Sequence, residues 1–181
     1  MKKIIMPEER EVLYSLTEGE EVLLSGRCYT MRDSACKRLL ASDNLPFEMK
    51  DEMLYFAGPS PARPGEIIGS CGPTTSIRME PFFEFFLSKG VSGMIGKGPI
   101  SKDASSVLAR YKAIYLVGIG GAAAYLSQFI KDATIIAYPE LGTEAIHRFI
   151  LKDLPLYVTN QVQGLKGSRF TVQGSQFTVQ G

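Results

Sequence analysis

The sequence has no excess of charge of either sign. Its 181 residues include 20 basic and 19 acidic side chains, which gives a formal net charge of +1. A balanced charge without a basic stripe argues against a dedicated nucleic-acid binder. Any cationic site must therefore come from the placement of individual arginines and lysines rather than from bulk charge.

Long apolar runs are also missing. The longest run, 113–126, is interrupted by Gly118, Gly120 and Gly121 and is too short to cross a bilayer. The first ten residues become acidic too early for a secretory signal peptide. These features predict a cytoplasmic protein that does not act on a membrane.

Cysteine and histidine are scarce. Cys28, Cys36 and Cys71 form an odd-numbered set without C-x2-C spacing, whereas the ligands of iron–sulfur clusters are usually partly clustered. We interpret them as buried, reduced thiols and predict no metal site within this chain. The single histidine, His147, is predicted to lie on a helix with a structural rather than a catalytic role.

What is present is typical of a globular domain, with 45% apolar and 22% charged residues. The pattern predicts an α/β fold with a mixed, partly parallel sheet, because strands and helices alternate from about 90 to 136. It also predicts a short strand at 67–69 and a Phe-rich helix over 76–89. We expect one domain over 1–164 and a tail over 165–181 that forms a hairpin or is disordered, since Phe-Thr-Val-Gln-Gly occurs there twice.

The most informative segment is Gly72–Glu80, which reads Gly-Pro-Thr-Thr-Ser-Ile-Arg-Met-Glu. It places the hydroxyls of Thr74 and Thr75 about one helical turn from the guanidinium of Arg78, beside the free N–H groups of a helix start. Such a corner suits an anionic small molecule. In the alternative interpretation, the threonines only cap the helix and Arg78 lies on its solvated face.

Two further cationic turns accompany this corner. Arg32 stands just before a basic helix that we predict to be capped by Asp33 or Ser34, and Lys97 stands between two glycines after a predicted strand. Three cationic turns in one small domain predict a binding site for a dicarboxylate.

The string Gly118-Ile119-Gly120-Gly121 follows an apolar strand, as in part of a dinucleotide-binding loop. Ala123 stands at the third glycine position, and the only acidic residue about twenty residues further on is Glu140, in a turn. We favour a tight strand-to-helix turn. A nucleotide-dependent oxidoreductase is the alternative hypothesis.

Taken in order, the strings Arg32–Leu39, Gly72–Glu80 and Ile95–Gly98 resemble the β subunit of class I fumarate hydratase and L-tartrate dehydratase. The resemblance covers residues from about 10 to about 164. It implies a swivelling β/β/α domain and a hetero-oligomer with an α subunit whose cysteines hold a [4Fe–4S] cluster. The iron would act as a Lewis acid on the hydroxyl leaving group, at an active site shared between the subunits.

The resemblance also implies roles for single residues. Arg32, Arg78 and Lys97 fall where the family binds substrate carboxylates, and Thr75 where it contacts substrate. Thr74 falls where the family has the base that removes a proton from the carbon beside a carboxylate. The implied reaction interconverts fumarate and L-malate. The alternatives are L-tartrate dehydration and a non-catalytic module that binds a dicarboxylate or a partner.

One position departs from the family pattern Arg-Asp-x-Ala-His, because its last residue is Cys36 in this chain. A histidine there would orient groups or relay a proton, and a cysteine titrates at higher pH. Either that role is dispensable, or another residue replaces it, or the substrate differs.

Overall fold

A seven-stranded sheet forms the body of the protein. The computed structural model describes residues 1–42 and 44–160. The strands are β1 (Lys2–Met6), β2 (Glu21–Thr30), β3 (Met53–Tyr55), β4 (Gly93–Gly96), β5 (Ile114–Val117), β6 (Ile130–Ala137) and β7 (Ile146–Val158). Their order in the sheet is β1-β2-β3-β4-β5-β7-β6.

The sheet is mixed, as predicted. Each neighbouring pair from β1 to β5 is parallel, whereas β7 runs antiparallel to β2, β5 and β6. Because β7 pairs with β5 near its end and with β2 along most of its length, β2, β3, β4, β5 and β7 form a closed cycle of pairings. Since β2 to β5 are parallel neighbours, their carboxyl ends lie together at one edge of the sheet. Ligands of α/β proteins usually bind at the carboxyl ends of parallel strands.

Helices are short and fill the connections. The α-helices are α1 (Asp33–Leu40), α2 (Phe83–Ser88), α3 (Lys102–Arg110) and α4 (Ala123–Leu126), and the 3₁₀ turns are Arg10–Ser15, Ser76–Arg78, Glu80–Phe82, Ser127–Phe129 and Pro139–Glu144. In α3, Ser101 caps the helix by accepting a hydrogen bond from the N–H of Ala104 at 3.1 Å. None of the helices in the described ranges is long and apolar enough to span a membrane.

Two apolar cores lie on opposite faces of the central strands. Successive residues of β3 alternate between them, with Met53 and Tyr55 in one core and Leu54 in the other, as the strand pleat requires. The second core also receives the buried side chains of α1, α2 and α3, including Leu39 and Phe86. The helices packed on this face support the edge at which β2 to β5 end.

Three local predictions are wrong. The helix predicted over 76–89 is broken into two 3₁₀ turns and α2, because Pro81 supplies no N–H for a continuous helix. The strand predicted at 67–69 does not form, since the N–H of Gly69 bonds to the carbonyl of Ser60 in the neighbouring loop instead. His147 lies in β7 rather than on a helix, because its segment pairs with β2 and β6.

The cap predicted for α1 is also wrong. Asp33 and Ser34 both lie inside the helix, and Arg32 precedes it without a capping side-chain bond. The tail predicted over 165–181 lies outside the described residues.

Candidate active site

The Gly-Pro-Thr-Thr corner is joined by backbone hydrogen bonds to the ends of β3 and β4. The N–H of Thr74 donates to the carbonyl of Phe56 at 2.6 Å, and the N–H of Lys97 donates to the carbonyl of Thr74 at 3.1 Å. Thr75 and Lys97 also form an isolated parallel bridge. Both threonines therefore stand at the carboxyl edge of the parallel strands, next to Lys97.

Close packing between Ser76 and Gly96 sets the position of this corner. Ser76 is fully buried, its hydroxyl accepts from the N–H of Lys97 at 3.1 Å, and its own N–H donates to the carbonyl of Lys97 at 3.1 Å. A Cβ atom on Gly96 would lie 1.8 Å from the Ser76 hydroxyl oxygen. Only glycine at position 96 allows this approach.

A line of polar contacts connects the corner to the start of α1. Arg78 donates from Nη2 to Oγ1 of Thr74 at 2.9 Å, and the same nitrogen lies 3.5 Å from Oδ2 of Asp33. That carboxylate oxygen lies 3.8 Å from Nε of Arg32. The structure thus brings Arg32, Thr74 and Arg78 to one edge, although Arg32 and Thr74 are far apart in the sequence.

The glycine-rich loop after β5 forms the wall beside Lys97. A Cβ atom on Gly120 would lie 3.2 Å from Cδ of Lys97, and one on Gly118 would lie 3.1 Å from Cγ of Pro73. The loop is a tight turn between β5 and the four-residue helix α4. Its glycines allow close approach of Lys97 and Pro73.

The arrangement is open to solvent. The side chains of Arg32 and Arg78 are 24% and 50% exposed, and Thr75 is exposed. Two other depressions, of about 200 and 230 Å³, lie near Tyr14 and near Arg63, and neither contains any of the five predicted site residues. The candidate active site is therefore an exposed edge rather than a closed cavity.

The three cysteines are buried in the two cores. Cys28 and Cys71 belong to the first core and Cys36 to the second. Burial raises the pKa of Cys71 to about 12, and it raises the pKa of Cys28 and Cys36 well above the usual value. Burial therefore favours the neutral thiol form of Cys36, which stands where the family pattern has a histidine.

Sequence reasoning missed Glu144. This residue ends the 3₁₀ turn between β6 and β7, and its carboxylate contacts both Arg32 and the backbone of Ser34. It lies 110 residues from Ser34. No local pattern marks such a contact, because it depends on how β7 pairs with β2.

The fold and the site define an α/β domain that carries three cationic side chains and two hydroxyls at the carboxyl edge of its parallel strands. The chain matches the family model described as "Fumarase C-terminus" over residues 2–168, and it belongs to this family. The resemblance inferred from the three strings is confirmed.

Named relatives agree with this assignment. The chain is 35% identical to "Fumarate hydratase 2" of Leishmania major over 161 residues, covering 86% of this chain and 28% of that protein. It is 35% identical over 158 residues to "Fumarate hydratase class I, anaerobic" of Escherichia coli, covering 82% and 29%. It is 33% identical over 135 residues to "Putative L(+)-tartrate dehydratase subunit beta" of Methanocaldococcus jannaschii, covering 70% and 69%.

The share of each relative that the chain covers differs between the fumarate hydratases and the tartrate dehydratase subunit. The chain spans less than a third of the two fumarate hydratases but more than two thirds of the Methanocaldococcus jannaschii protein. All three names denote hydro-lyases, so the chain is a member of a hydro-lyase family.

Proposed function

We propose that this chain is the β subunit of a [4Fe–4S]-dependent hydro-lyase that interconverts fumarate and L-malate. The observation that supports it most directly is the hydrogen bond from Arg78 to Thr74, beside Lys97, in a chain of this family. In this proposal the domain is of the swivelling β/β/α type and acts in a cytoplasmic hetero-oligomer with an α subunit.

The cationic side chains bind the two substrate carboxylates. Arg32, Arg78 and Lys97 supply fixed positive charge, and a guanidinium is able to bind a carboxylate with two parallel hydrogen bonds. Within the described residues, Nε of Arg32 is buried and has no hydrogen-bond partner. A buried donor of this kind is costly unless a ligand oxygen accepts from it, which fits a carboxylate at this position.

Thr74 is the base in this proposal. A threonine hydroxyl is a poor base at neutral pH and needs nearby positive charge. Because a guanidinium cannot accept a hydrogen bond, Oγ1 of Thr74 must accept the bond from Arg78, and this contact stabilises negative charge on that oxygen. Once the Thr74 hydroxyl has lost its own proton to water, its oxygen accepts the proton from the carbon beside a carboxylate to which Lys97 or Arg32 is bound. The charge that develops on this carboxylate is then stabilised without reorganisation. Thr75, exposed beside Lys97, contacts the substrate.

The cysteines of this chain do not fit as ligands of the cluster. They lie in two different cores, and the described ranges contain no group of three or more His, Cys, Asp or Glu side chains able to hold a metal ion. We therefore assign the [4Fe–4S] cluster to the partner α subunit.

The surface around the site suits a partner chain. Ile77 and Ile119, close to Arg78 and Gly120, are 58% and 47% exposed. The α subunit would cover them and close the site.

L-Tartrate is the second candidate substrate. Among the relatives described above, the chain matches best the length of the Methanocaldococcus jannaschii protein, whose name denotes a tartrate dehydratase β subunit. Two hydroxy diacids that differ by one hydroxyl are discriminated by a few contacts, some of which would lie on the α subunit. A module that only binds a dicarboxylate would show binding without turnover.

The test is co-expression with an α-type partner under anaerobic conditions, followed by assays with fumarate, L-malate and L-tartrate. We expect Thr74→Ala to lower kcat by about 100-fold or more, because it removes the proton acceptor. Thr134→Ala, on the exposed part of β6, is the matched control and should leave kcat unchanged. Near-normal turnover in Thr74→Ala would exclude Thr74 as the base.

A further inference from the structure

The turn between β6 and β7 lies against α1 and contacts both ends of this helix. Near its end, the guanidinium of Arg38 pairs with Glu140 and lies 4.9 Å from the ring centre of Tyr138. At its start, the carboxylate of Glu144 contacts Arg32 and Ser34. Only the contact of Glu144 lies at the end of the helix that meets the active-site edge, whereas Glu140 holds the far end.

The two carboxylate oxygens of Glu144 have separate partners. Oε2 accepts a hydrogen bond from the N–H of Ser34 at 2.8 Å, in the place of the missing side-chain cap. Oε1 lies 3.5 Å from Nη2 of Arg32. Burial opposes ionisation of Glu144, but the hydrogen bonds from Ser34 and the charges of Arg32 and Arg78 outweigh it and leave its pKa below the usual value.

Arg32 has few other contacts that fix its guanidinium. Nη1 lies against Gly58, where a Cβ atom would come within 2.8 Å of it. Nε is buried and has no hydrogen-bond partner in the described ranges, with Asp33 3.8 Å away. Of the two carboxylates that pair with this guanidinium, Glu144 is the closer, at 3.5 Å from Nη2 against 3.8 Å from Nε to Asp33.

A buried polar cluster fixes the backbone next to Glu144. Oγ1 of Thr30 accepts from the N–H of His147 at 2.8 Å and lies 3.2 Å from the carbonyl oxygen of Ala145, to which it donates. Nδ1 of His147 lies 3.0 Å from the same carbonyl oxygen. Since Ala145 directly follows Glu144, these bonds fix the end of the turn relative to β2, whose carboxyl end leads to Arg32.

We propose that Glu144 is a positioning residue, which orients the guanidinium of Arg32 and the first turn of α1 to receive one carboxylate of the substrate. This inference rests on the proposed function. Glu144 lies outside the three sequence strings that resemble the family. A positioning role explains why an acidic side chain stands beside a site for an anion.

The experiment compares Glu144→Gln with Glu140→Gln in the reconstituted complex. Glutamine keeps the size of Glu144 and an oxygen for the N–H of Ser34, but it removes the charge facing Arg32. We expect KM for the dicarboxylate to rise about tenfold and kcat to change less than about threefold, in line with the loss of one charge-assisted contact. Glu140→Gln, on the same turn but paired with Arg38, should leave both constants within about twofold.

A double-mutant cycle shows whether Glu144 acts through Arg32. In an Arg32→Lys background, which lacks the planar fork, Glu144→Gln should raise KM by less than about twofold further. Independent effects in this cycle, an unchanged KM in Glu144→Gln, or an equal effect of Glu140→Gln would overturn the inference. The thermal midpoint of each variant checks folding, and if Glu144→Gln does not fold, Glu144→Asp takes its place with a smaller expected rise in KM.

The outcomes also separate this inference from the proposed function. A complex that turns over no hydroxy diacid would remove the proposed function and the inference with it. An Arg32→Lys variant with normal KM would show that no oriented guanidinium is needed at this position, which removes the inference alone. An active complex that is impaired by Arg32→Lys but not by Glu144→Gln would remove the inference alone.

Discussion

The corner that carries Thr74 and Thr75 and the helix α1 that begins after Arg32 lie side by side at the site, but different forces hold them. The corner is held by backbone hydrogen bonds to Phe56 and Lys97. The body of α1 packs in the second core, but the charged side chains at its start are held by ion pairs and hydrogen bonds of partly exposed groups.

This difference has a physical consequence for each half. Backbone bonds and steric fit at the corner do not depend on pH or salt, so they place the hydroxyl of Thr74, the proposed base, in one position. Ion pairs between partly exposed groups are weaker and are screened by salt, so the helix start is the more adjustable half. In the proposed function, a rigid base next to an adjustable carboxylate-binding group suits a reaction in which the substrate changes geometry at carbon.

The largest effect is expected from a change that breaks the corner. In Gly96→Ala the new Cβ atom would lie 1.8 Å from Oγ of Ser76 and 2.9 Å from the hydroxyl oxygen of Tyr115. Overpacking of this kind should lower the free energy of unfolding by about 3 kcal/mol, measured by urea denaturation. Adding Ser76→Gly removes the clashing group and should restore part of that loss. If Gly96→Ala were as stable as the parent, the corner would not depend on the close packing of Gly96 against Ser76.

A smaller effect is expected beside the corner, at the glycine-rich loop. In Gly120→Ala the new Cβ atom would lie 3.2 Å from Cδ of Lys97, which is the far part of a flexible side chain. Lys97 should therefore shift while the fold stays intact, and we expect KM to rise about threefold, because small displacements of binding groups weaken substrate positioning. In a Lys97→Ala background the same change should have no further effect. If Gly120→Ala still raised KM in the Lys97→Ala background, Gly120 would not act by leaving room for Lys97.

The corner was predictable from the sequence because its residues are contiguous. Gly-Pro-Thr-Thr and the glycines around Lys97 carry their own conformational signals, and the ends of parallel strands bring such turns to one edge. The burial of Cys36 was predicted only from the general tendency of free cysteines to be buried. The structure places Cys36 in the second core.

The helix start was less predictable, because its contacts come from distant segments. Glu144 reaches α1 only because β7 pairs with β2, and the same pairing turns the segment around His147 from an expected helix into a strand. Pro81 gave a local signal that argued against one long helix, but the apolar spacing of the phenylalanines outweighed it in the prediction. Both errors arise where tertiary pairing or a single missing N–H overrides periodicity.

The smallest change in stability is expected from lowering the pH, which of the two regions compared should affect the helix start and not the corner. The pKa of Glu144 is lowered in the folded protein, since the hydrogen bonds from Ser34 and the charges of Arg32 and Arg78 outweigh burial. A lowered pKa contributes stability above the unfolded value near 4.5, and this contribution is lost as the pH falls through the folded value. Glu144→Gln should therefore be less stable than the parent at pH 7 by about 0.5 kcal/mol, the usual size of a carboxylate contact at a helix start.

The difference in the free energy of unfolding between the parent and Glu144→Gln should decrease as the pH falls below 4.5, as measured by urea denaturation across a pH series. Ser76→Ala is the control from the corner, because its buried hydroxyl does not titrate and its deficit should stay constant with pH. A pH-independent deficit in Glu144→Gln would mean that the helix start is held by shape, as the corner is, and the contrast between the two halves would be lost.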